Sequence, residues 1–248
     1  MPLPQLAQHV LDFCYPRACA HCNAACPGSI FLCDECAARL DALVKAPACQ
    51  RCAMPLSQDN APCPYCTNRG IRPFATILRL GIYEEPLKDL IHHMKYHKKW
   101  ALGEHLASRL AKSPRVKQLI TDDKIILPVP LHYFRQISRG YNQADVIARR
   151  LASHFGCQVK YPVKRSRNTA PQAQIHAQAD RKQNLKNAFA LKHPRSITGR
   201  HVIIVDDVMT SGNTLRALAR TLFPARPASI SAVVLAIADP IHRDFQKI

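Results

Sequence analysis

The order of apolar and polar positions changes near residue 74, and beyond that point it predicts strands that alternate with helices. Apolar runs lie at 125–129 and 202–205, and a third at 229–238 includes two serines; such runs are typical of strands buried on both faces of a sheet. The pattern predicts an α/β fold with a mainly parallel sheet, whose ligands bind at the carboxyl ends of the strands. Between the runs, apolar residues recur at helical spacing: Leu87, Leu90, Ile91 and Met94; Leu102, Leu106 and Leu110; Val146, Ile147 and Leu151; Leu215, Leu218, Ala219 and Leu222.

The first 70 residues follow a different pattern, which is set by cysteines. Ten of the eleven cysteines lie there, and eight of them form four CxxC pairs. Two CxxC turns together complete a tetrahedral site of four thiolates, which is the usual structural site for Zn2+. We therefore expect a double zinc ribbon over residues 1–70, with two structural Zn2+ ions, and a second domain over residues 71–248. The expected ligands are Cys19, Cys22, Cys33, Cys36, Cys49, Cys52, Cys63 and Cys66.

The spacing of the pairs favours two ribbons in tandem, because ten residues separate the first pair from the second and the third from the fourth. A cross-braced arrangement, in which the first pair joins the third, remains open. Cys14 and Cys26 fall outside the CxxC pattern and are interpreted as spare thiols. A redox role is disfavoured, since redox CxxC motifs occur singly on a thioredoxin-like fold.

Composition adds a large positive charge. The chain of 248 residues carries 35 basic and 17 acidic side chains, a formal net charge of +18. Such an excess favours polyanions such as nucleic acid, although a basic protein without that partner is the plain alternative. No run of about 18 apolar residues and no signal peptide are evident, so we expect a cytoplasmic protein without a membrane span.

The stretch from His201 to Leu215 carries the clearest chemistry, and it reads HVIIVDDVMTSGNTL. The free amides at the start of the next helix, with the hydroxyl and glycine residues before it, suit a phosphate. Asp206 and Asp207 repel a phosphate but accept hydrogen bonds from vicinal hydroxyls. The stretch therefore predicts a site for a ribose 5-phosphate, whereas the plain alternative is a buried strand whose acidic pair caps the helix. The candidate residues are Asp206, Asp207, Thr210, Ser211, Gly212, Asn213 and Thr214.

Two further stretches are expected near this site. Arg135, Arg139 and Gly140 follow the strand at 125–129, and guanidinium groups there suit a multiply charged anion. A solvent-facing basic loop is the alternative. The polar, basic stretch from Lys164 to Phe189 cannot bury much surface, and we expect a mobile segment over the site.

The 201–215 stretch resembles the phosphoribosyl pyrophosphate (PRPP) motif of type I phosphoribosyltransferases. With CQRCAMPL, LIHHMKYHKKW, VPLHYFRQISRGYNQA and RKQNLKNAF, the chain resembles the ComF family of bacterial natural competence. The resemblance implies a type I phosphoribosyltransferase domain behind a double zinc ribbon. It also implies PRPP binding by the residues above, with Arg135 and Arg139 at the pyrophosphate and Mg2+ arriving with PRPP. Single-stranded DNA, a competence helicase and DNA-processing proteins are the implied partners.

The sequence leaves the catalytic residues unassigned. Pro2 stands where glutamine amidophosphoribosyltransferases have a cysteine nucleophile, and Thr210 stands where purine-salvage enzymes have an aspartate base. An active transferase and a DNA-handling protein that binds PRPP without turnover therefore both stay open. The residues expected to contact DNA phosphates are Lys95, Lys98, Lys99, Arg135, Arg139 and residues 164–167. Tyr96, Trp100 and Tyr141 are expected to stack on bases. Core packing is the alternative for these rings and is favoured for Trp100.

Overall fold

The computed structural model describes residues 18–26, 31–166 and 188–238. Cys14 and most of the 164–189 stretch lie outside these ranges, so the mobile segment expected there stays a prediction. Within the described ranges, none of the helices combines the length and the apolar character that a membrane span requires.

Five parallel strands form the central sheet, which confirms the α/β fold with a mainly parallel sheet. The described strands are β1 (Ile77–Ile82), β2 (Ile125–Pro128), β3 (Gln158–Val159), β4 (Val163–Arg165), β5 (Phe189–Leu191), β6 (His201–Met209) and β7 (Ser229–Ile237). The five strands of the sheet lie in the spatial order β1-β7-β6-β2-β3. A separate antiparallel pair, β4 with β5, stands apart from this sheet.

The helices follow the apolar spacing, with one addition. The stretch around Arg135 and Arg139, which the sequence indicated as a loop, forms a short helix, α5. Pro86 precedes the first residue of α2, where its fixed φ and missing amide cost the helix nothing. The described helices are α1 (Asp34–Lys45), α2 (Leu87–Tyr96), α3 (Trp100–Ala111), α4 (Pro114–Leu119), α5 (Tyr133–Arg139), α6 (Gln143–Phe155) and α7 (Asn213–Leu222).

Strand β6 is buried on both faces, as its continuous apolar run predicts. Val202 and Ile204 belong to one hydrophobic cluster, and Ile203 and Val205 belong to the cluster on the opposite face. Helix α7 packs on the first face, whereas α2, α3 and α6 pack on the second. A strand in this position is fixed from both sides, so the residues that follow it are held on a rigid support.

Each zinc-ribbon segment joins one of these clusters. The four cysteines from Cys49 to Cys66 pack with Leu222 and Ile230 on the face that carries α7. Cys19 and Cys36 pack with Leu80 and Leu90 on the other face. The ribbons and the sheet therefore pack in the same apolar clusters. The domain boundary expected at residue 70 stays a prediction.

The second ribbon also covers β1, which is an edge strand of the sheet. The amide of Ile77 donates to the carbonyl of Arg51 over 3.0 Å. The guanidinium of Arg79 donates to the carbonyls of Ala46 and Pro47 over 3.3 and 3.2 Å. The first bond satisfies a backbone group that an open edge would leave available for pairing with another chain, and the Arg79 bonds hold the segment before the second ribbon against β1.

Candidate functional site

The eight paired cysteines come together in two groups of four. In each group the Sγ atoms all lie within 4.8 Å of one another. The first group holds Cys19, Cys22, Cys33 and Cys36, and the second holds Cys49, Cys52, Cys63 and Cys66. The grouping is sequential, so among the described cysteines the cross-braced arrangement is not found.

The distances between these thiols suit a zinc ion. Sγ of Cys22 lies 3.7 Å from Sγ of Cys33, and the pairs Cys49–Cys66 and Cys52–Cys63 are each 3.6 Å apart. A tetrahedron with Zn–S bonds of about 2.3 Å has edges of about 3.8 Å. Both groups therefore fit structural Zn2+.

A histidine within the first CxxC turn connects the ribbon to α2. His21 Nδ1 lies 2.7 Å from Asp89 Oδ2, and Arg39 Nη1 lies 3.3 Å from His21 Nε2. A neutral imidazole satisfies both contacts when Nδ1 donates to the carboxylate and Nε2 accepts from the guanidinium. His21, Glu85 and Asp89 stand close enough to share a cation, but the Arg39 charge beside them disfavours one.

The loop between β6 and α7 has the features of an anion site. Gly212 precedes the helix with φ of +70°, a conformation that residues with a side chain rarely adopt. The hydroxyl of Ser211 is buried and meets no hydrogen-bond partner among the described atoms. Arg216 Nη1 donates to the carbonyl of Ser211 over 3.0 Å and to Asn213 Oδ1 over 3.4 Å, which braces the loop. A buried donor beside the free amides of the first turn of α7 is what a phosphate oxygen requires.

The acidic pair lies within β6, because the strand continues to Met209 and does not end before Asp206. Asp207 is paired with Lys95, whose Nζ lies 3.1 Å from Asp207 Oδ1. The two side chains are 14% and 15% exposed, so the ion pair is mostly shielded from water. We call Asp206, Asp207 and residues 210–214 the β6–α7 site.

Two ionisable groups of this site have shifted pKa values. Burial first, and then the neighbouring charge of Asp207, raise the pKa of Asp206 to about 7. Burial by itself would lower the pKa of Lys95, but the Asp207 carboxylate and then Tyr83 outweigh burial and raise it. Asp206 therefore takes up a proton near neutral pH, beside the ion pair of Lys95 with Asp207.

Three arginines bring positive charge to the same region. Burial first, and then nearby Arg139, lower the pKa of Arg135 on α5. Burial and the charge of Arg135 lower the pKa of Arg165 on β4 to about 10, while Asp206 acts in the opposite direction. Arg139 lies over the ring of Tyr96, 5.2 Å from its centroid. Arg165 therefore interacts with Asp206, and Arg135 lies close enough to Arg165 to affect its pKa.

Lys95, Arg165 and Arg216 are the site residues that the motif did not indicate. The sequence placed Lys95 among exposed DNA contacts, whereas the structure buries it against Asp207. One signal was available, because Lys95 lies four residues after Ile91, which is fully buried on the same helix. Arg165 could not be found in this way, since its position depends on how β4 pairs with β5.

The aromatic residues near the site divide into two kinds. Tyr96 and Trp100 are each 54% exposed, so the core packing favoured for Trp100 is wrong. Tyr141 is partly buried, and its hydroxyl donates to the carbonyl of Met94. Tyr141 therefore has a structural role, while Tyr96 and Trp100 present their rings to solvent.

Two families of domains match the chain. The Phosphoribosyl transferase domain matches residues 138–247 and the Double zinc ribbon domain matches residues 10–67. A solved hypoxanthine-guanine phosphoribosyl transferase from L. donovani is 26% identical and covers 57% of this chain and 72% of its own, with a TM-score of 0.31. The domain matches carry the assignment of the type I phosphoribosyltransferase fold, because that structural overlap is too small to do so.

Curated relatives match most of the chain. The DNA utilization protein YhgH of Shigella flexneri is 35% identical over 187 residues, which are 73% of this chain and 80% of the relative. Competence protein F of Haemophilus influenzae is 33% identical over 215 residues, which are 82% of this chain and 90% of the relative. The match to competence protein F includes residues of both domains, since 82% of the chain cannot be covered without them.

Proposed function

Because the chain belongs to the ComF family, the family of competence protein F, we propose that it binds PRPP at the β6–α7 site and handles single-stranded DNA. The observation that carries the first part is the buried Ser211 hydroxyl, which has no partner among the described atoms and lies two residues before the start of α7. A donor in that position is stabilised by a phosphate oxygen and is costly without one.

The ligand at this site contains a ribose. Asp206 and Asp207 accept hydrogen bonds from the vicinal 2′- and 3′-hydroxyls, while the 5-phosphate binds at residues 210–214. The pyrophosphate faces Arg135 and Arg139, whose positive charge offsets its negative charge. Mg2+ accompanies the pyrophosphate oxygens, as it does for most phosphate ligands, and supplies further charge neutralisation. We assign no catalytic residue.

The two groups of four cysteines hold structural Zn2+. Thiolate ligands of this kind persist in a reducing compartment, which supports a cytoplasmic location. The ions have no part in ligand chemistry here. Their role is to fix two turns that pack against opposite faces of the sheet.

The DNA function rests on charge and on the relatives. A net charge of +18 favours a polyanion, and one relative is named for DNA utilization and another for competence. A helicase or other DNA-processing proteins are the partners that such a role requires. An active transferase that moves phosphoribose to an unknown acceptor is the alternative, and release of pyrophosphate from PRPP in the presence of candidate acceptors distinguishes the two.

The ribose requirement provides the test of the ligand class. Isothermal calorimetry should show that ribose 5-phosphate binds about tenfold or more tightly than 2-deoxyribose 5-phosphate, because the deoxy sugar leaves one carboxylate without a hydrogen bond. The variant Ser211→Ala should weaken both sugars equally, since it removes a contact to the phosphate that they share. Equal affinities for the two sugars in the unmodified protein would contradict the proposed role of Asp206 and Asp207.

A further inference from the structure

An aromatic and basic surface lies at the junction of α2 and α3, next to Lys95, which pairs with Asp207 of the β6–α7 site. Tyr96 ends α2 and Trp100 begins α3, four residues later, and both are 54% exposed. Lys98 and Lys99 connect them, and both are exposed. We call Tyr96, Lys98, Lys99 and Trp100 the aromatic platform.

Two contacts join the platform to α5. The guanidinium of Arg139 stacks over Tyr96 at 5.2 Å and leaves more than half of the side chain accessible. The side chain of Lys98 lies close to Gly140, since a Cβ at that glycine would be 3.8 Å from Lys98 Cε. The rings are therefore held on a surface with several cations rather than on an isolated loop.

Exposed rings with adjacent cations need an explanation, because burial of a large aromatic side chain contributes much favourable free energy to folding. The platform carries Lys98 and Lys99, Arg139 lies next to it, and no acidic residue lies between 90 and 103. Such a surface repels cationic partners, and its complement is an anion with flat apolar groups. Unpaired nucleotides are of that kind, since their phosphates contact the cations and their bases stack on the rings.

We propose that the aromatic platform is the binding surface for single-stranded DNA, and that it is separate from the site that binds PRPP. This inference rests on the DNA part of the proposed function. Duplex DNA is a poor ligand for the platform, because its bases are stacked on one another and are not available to Tyr96 and Trp100. Bases bind there by stacking, with little preference for sequence.

The separation from the β6–α7 site follows from consecutive residues of α2. Lys95 is directed into the site and is 15% exposed, whereas Tyr96 is directed outward and is 54% exposed. Deoxyribose also lacks the 2′-hydroxyl that the acidic pair would bind. A DNA strand therefore has better partners on the platform than in the site.

Arg139 belongs to both surfaces. It stacks on Tyr96, and it lies on α5 beside Arg135, where the pyrophosphate of PRPP binds in the proposed function. When PRPP occupies its site, the negative charge attracts Arg139 and repels the phosphates of a strand on the platform. PRPP and DNA therefore weaken the binding of each other, and the factor is the same in both directions.

The single tryptophan of the chain makes the test direct. Titration of the full-length protein with oligo-dT should quench the fluorescence of Trp100 in a saturable manner, because a stacked base contacts its ring. With a labelled oligonucleotide, anisotropy should show that Tyr96→Ala and Trp100→Ala each weaken binding about fivefold or more, since stacking contributes roughly 1–3 kcal/mol per base. A duplex of the same length should bind more weakly and should not quench.

Phe223→Ala is the matched control, because Phe223 is 50% exposed but lies in the turn that follows α7. It should change the affinity for oligo-dT by less than about twofold. The oligonucleotide could bind by anisotropy while Trp100 emission stays constant and while Tyr96→Ala and Phe223→Ala have the same affinity for it. In that case the platform is not the binding surface, and DNA binds at another surface of the protein. If the unmodified protein binds no oligonucleotide, both the platform and the DNA function are wrong, while PRPP binding is unaffected.

Discussion

At the scale of the residue, the two adjacent aspartates of β6 have different environments. Asp207 forms a mostly shielded ion pair with Lys95, while Asp206 lies partly buried beside that charge and accepts a hydrogen bond from the Asp207 amide over 2.9 Å. Because the pKa of Asp206 is raised to about 7, its carboxyl group loses its O–H donor as the pH rises through that value and then only accepts hydrogen bonds. The sequence showed the pair but not the difference.

The raised pKa of Asp206 predicts a specific pH dependence of stability. Because the pKa in the folded protein is about 7, above the ordinary value of 3.8, the stabilising protonated form is lost as the pH rises through 7. Lowering the pH from 8 to 6 should therefore increase the free energy of unfolding of the unmodified protein by about 1 kcal/mol relative to Asp206→Asn. Urea denaturation at the two pH values measures this difference. The exposed substitution Asp59→Asn should leave it unchanged, and equal pH dependence of Asp206→Asn and the unmodified protein would contradict the assignment.

The ion pair of Lys95 predicts a large effect of one substitution. Lys95→Met leaves the Asp207 charge without its partner, and the free energy of unfolding should fall by about 3–5 kcal/mol. The double variant Lys95→Met/Asp207→Asn should recover much of that loss, because it removes the unpaired charge. Arg149→Met, which breaks a pair with Asp145 where Arg149 is 68% exposed, should cost less than about 1 kcal/mol. Denaturant unfolding of the four proteins gives the comparison.

At the scale of the element, the ribbons are part of the packing of the sheet. The second group of cysteines lies in the same cluster as Leu222 of α7 and Ile230 of β7. The spacing of the CxxC pairs was sufficient to predict the ribbons, since each turn is local. The packing of the second ribbon against α7 and β7 was not predictable, because it depends on contacts between residues more than 100 positions apart.

This packing predicts that loss of one zinc ion destabilises the whole chain. Metal analysis of protein purified without chelator should give about two Zn2+ per chain, and Cys49→Ser/Cys52→Ser should give about one. Calorimetric unfolding of that variant should then show a lower Tm for the main transition. Cys157→Ser should keep both ions and the original Tm, because Cys157 belongs to neither group. A variant that loses zinc yet unfolds at the original temperature would show that the ribbons and the sheet are independent.

Strands and helices with a periodic apolar pattern were predicted from the sequence, whereas the short helix α5, which lacks such a pattern, was not. The buried run of β6 and the apolar stripe of α2 both formed as their patterns indicate. Helix α5 was missed because it has seven residues, and two of its apolar side chains, Tyr133 and Ile137, are 68% and 61% exposed. A short helix whose described apolar side chains are exposed gives no apolar stripe at helical spacing in the sequence.

At the scale of the whole molecule, the excess of basic residues predicts binding of single-stranded DNA that depends on salt. The logarithm of the affinity should fall by roughly 0.7 per phosphate contact for each tenfold rise in salt concentration. Lys98→Gln/Lys99→Gln should therefore reduce that slope by about 1.4. Lys112→Gln is the control, since Lys112 follows the far end of α3, about 18 Å along the helix from the platform. Anisotropy titrations at several salt concentrations measure the slopes, and a slope of zero in the unmodified protein would remove the DNA function.

Basic residues also lie near the β6–α7 site. The central claim is that this site binds PRPP. Calorimetric titration with PRPP and Mg2+ tests it most directly, with the unmodified protein and with Asp206→Asn/Asp207→Asn. The unmodified protein should bind one PRPP per chain, and the double variant should bind at least about tenfold more weakly, because each asparagine replaces a charged acceptor of a ribose hydroxyl. A folded double variant with the affinity of the unmodified protein would contradict the account.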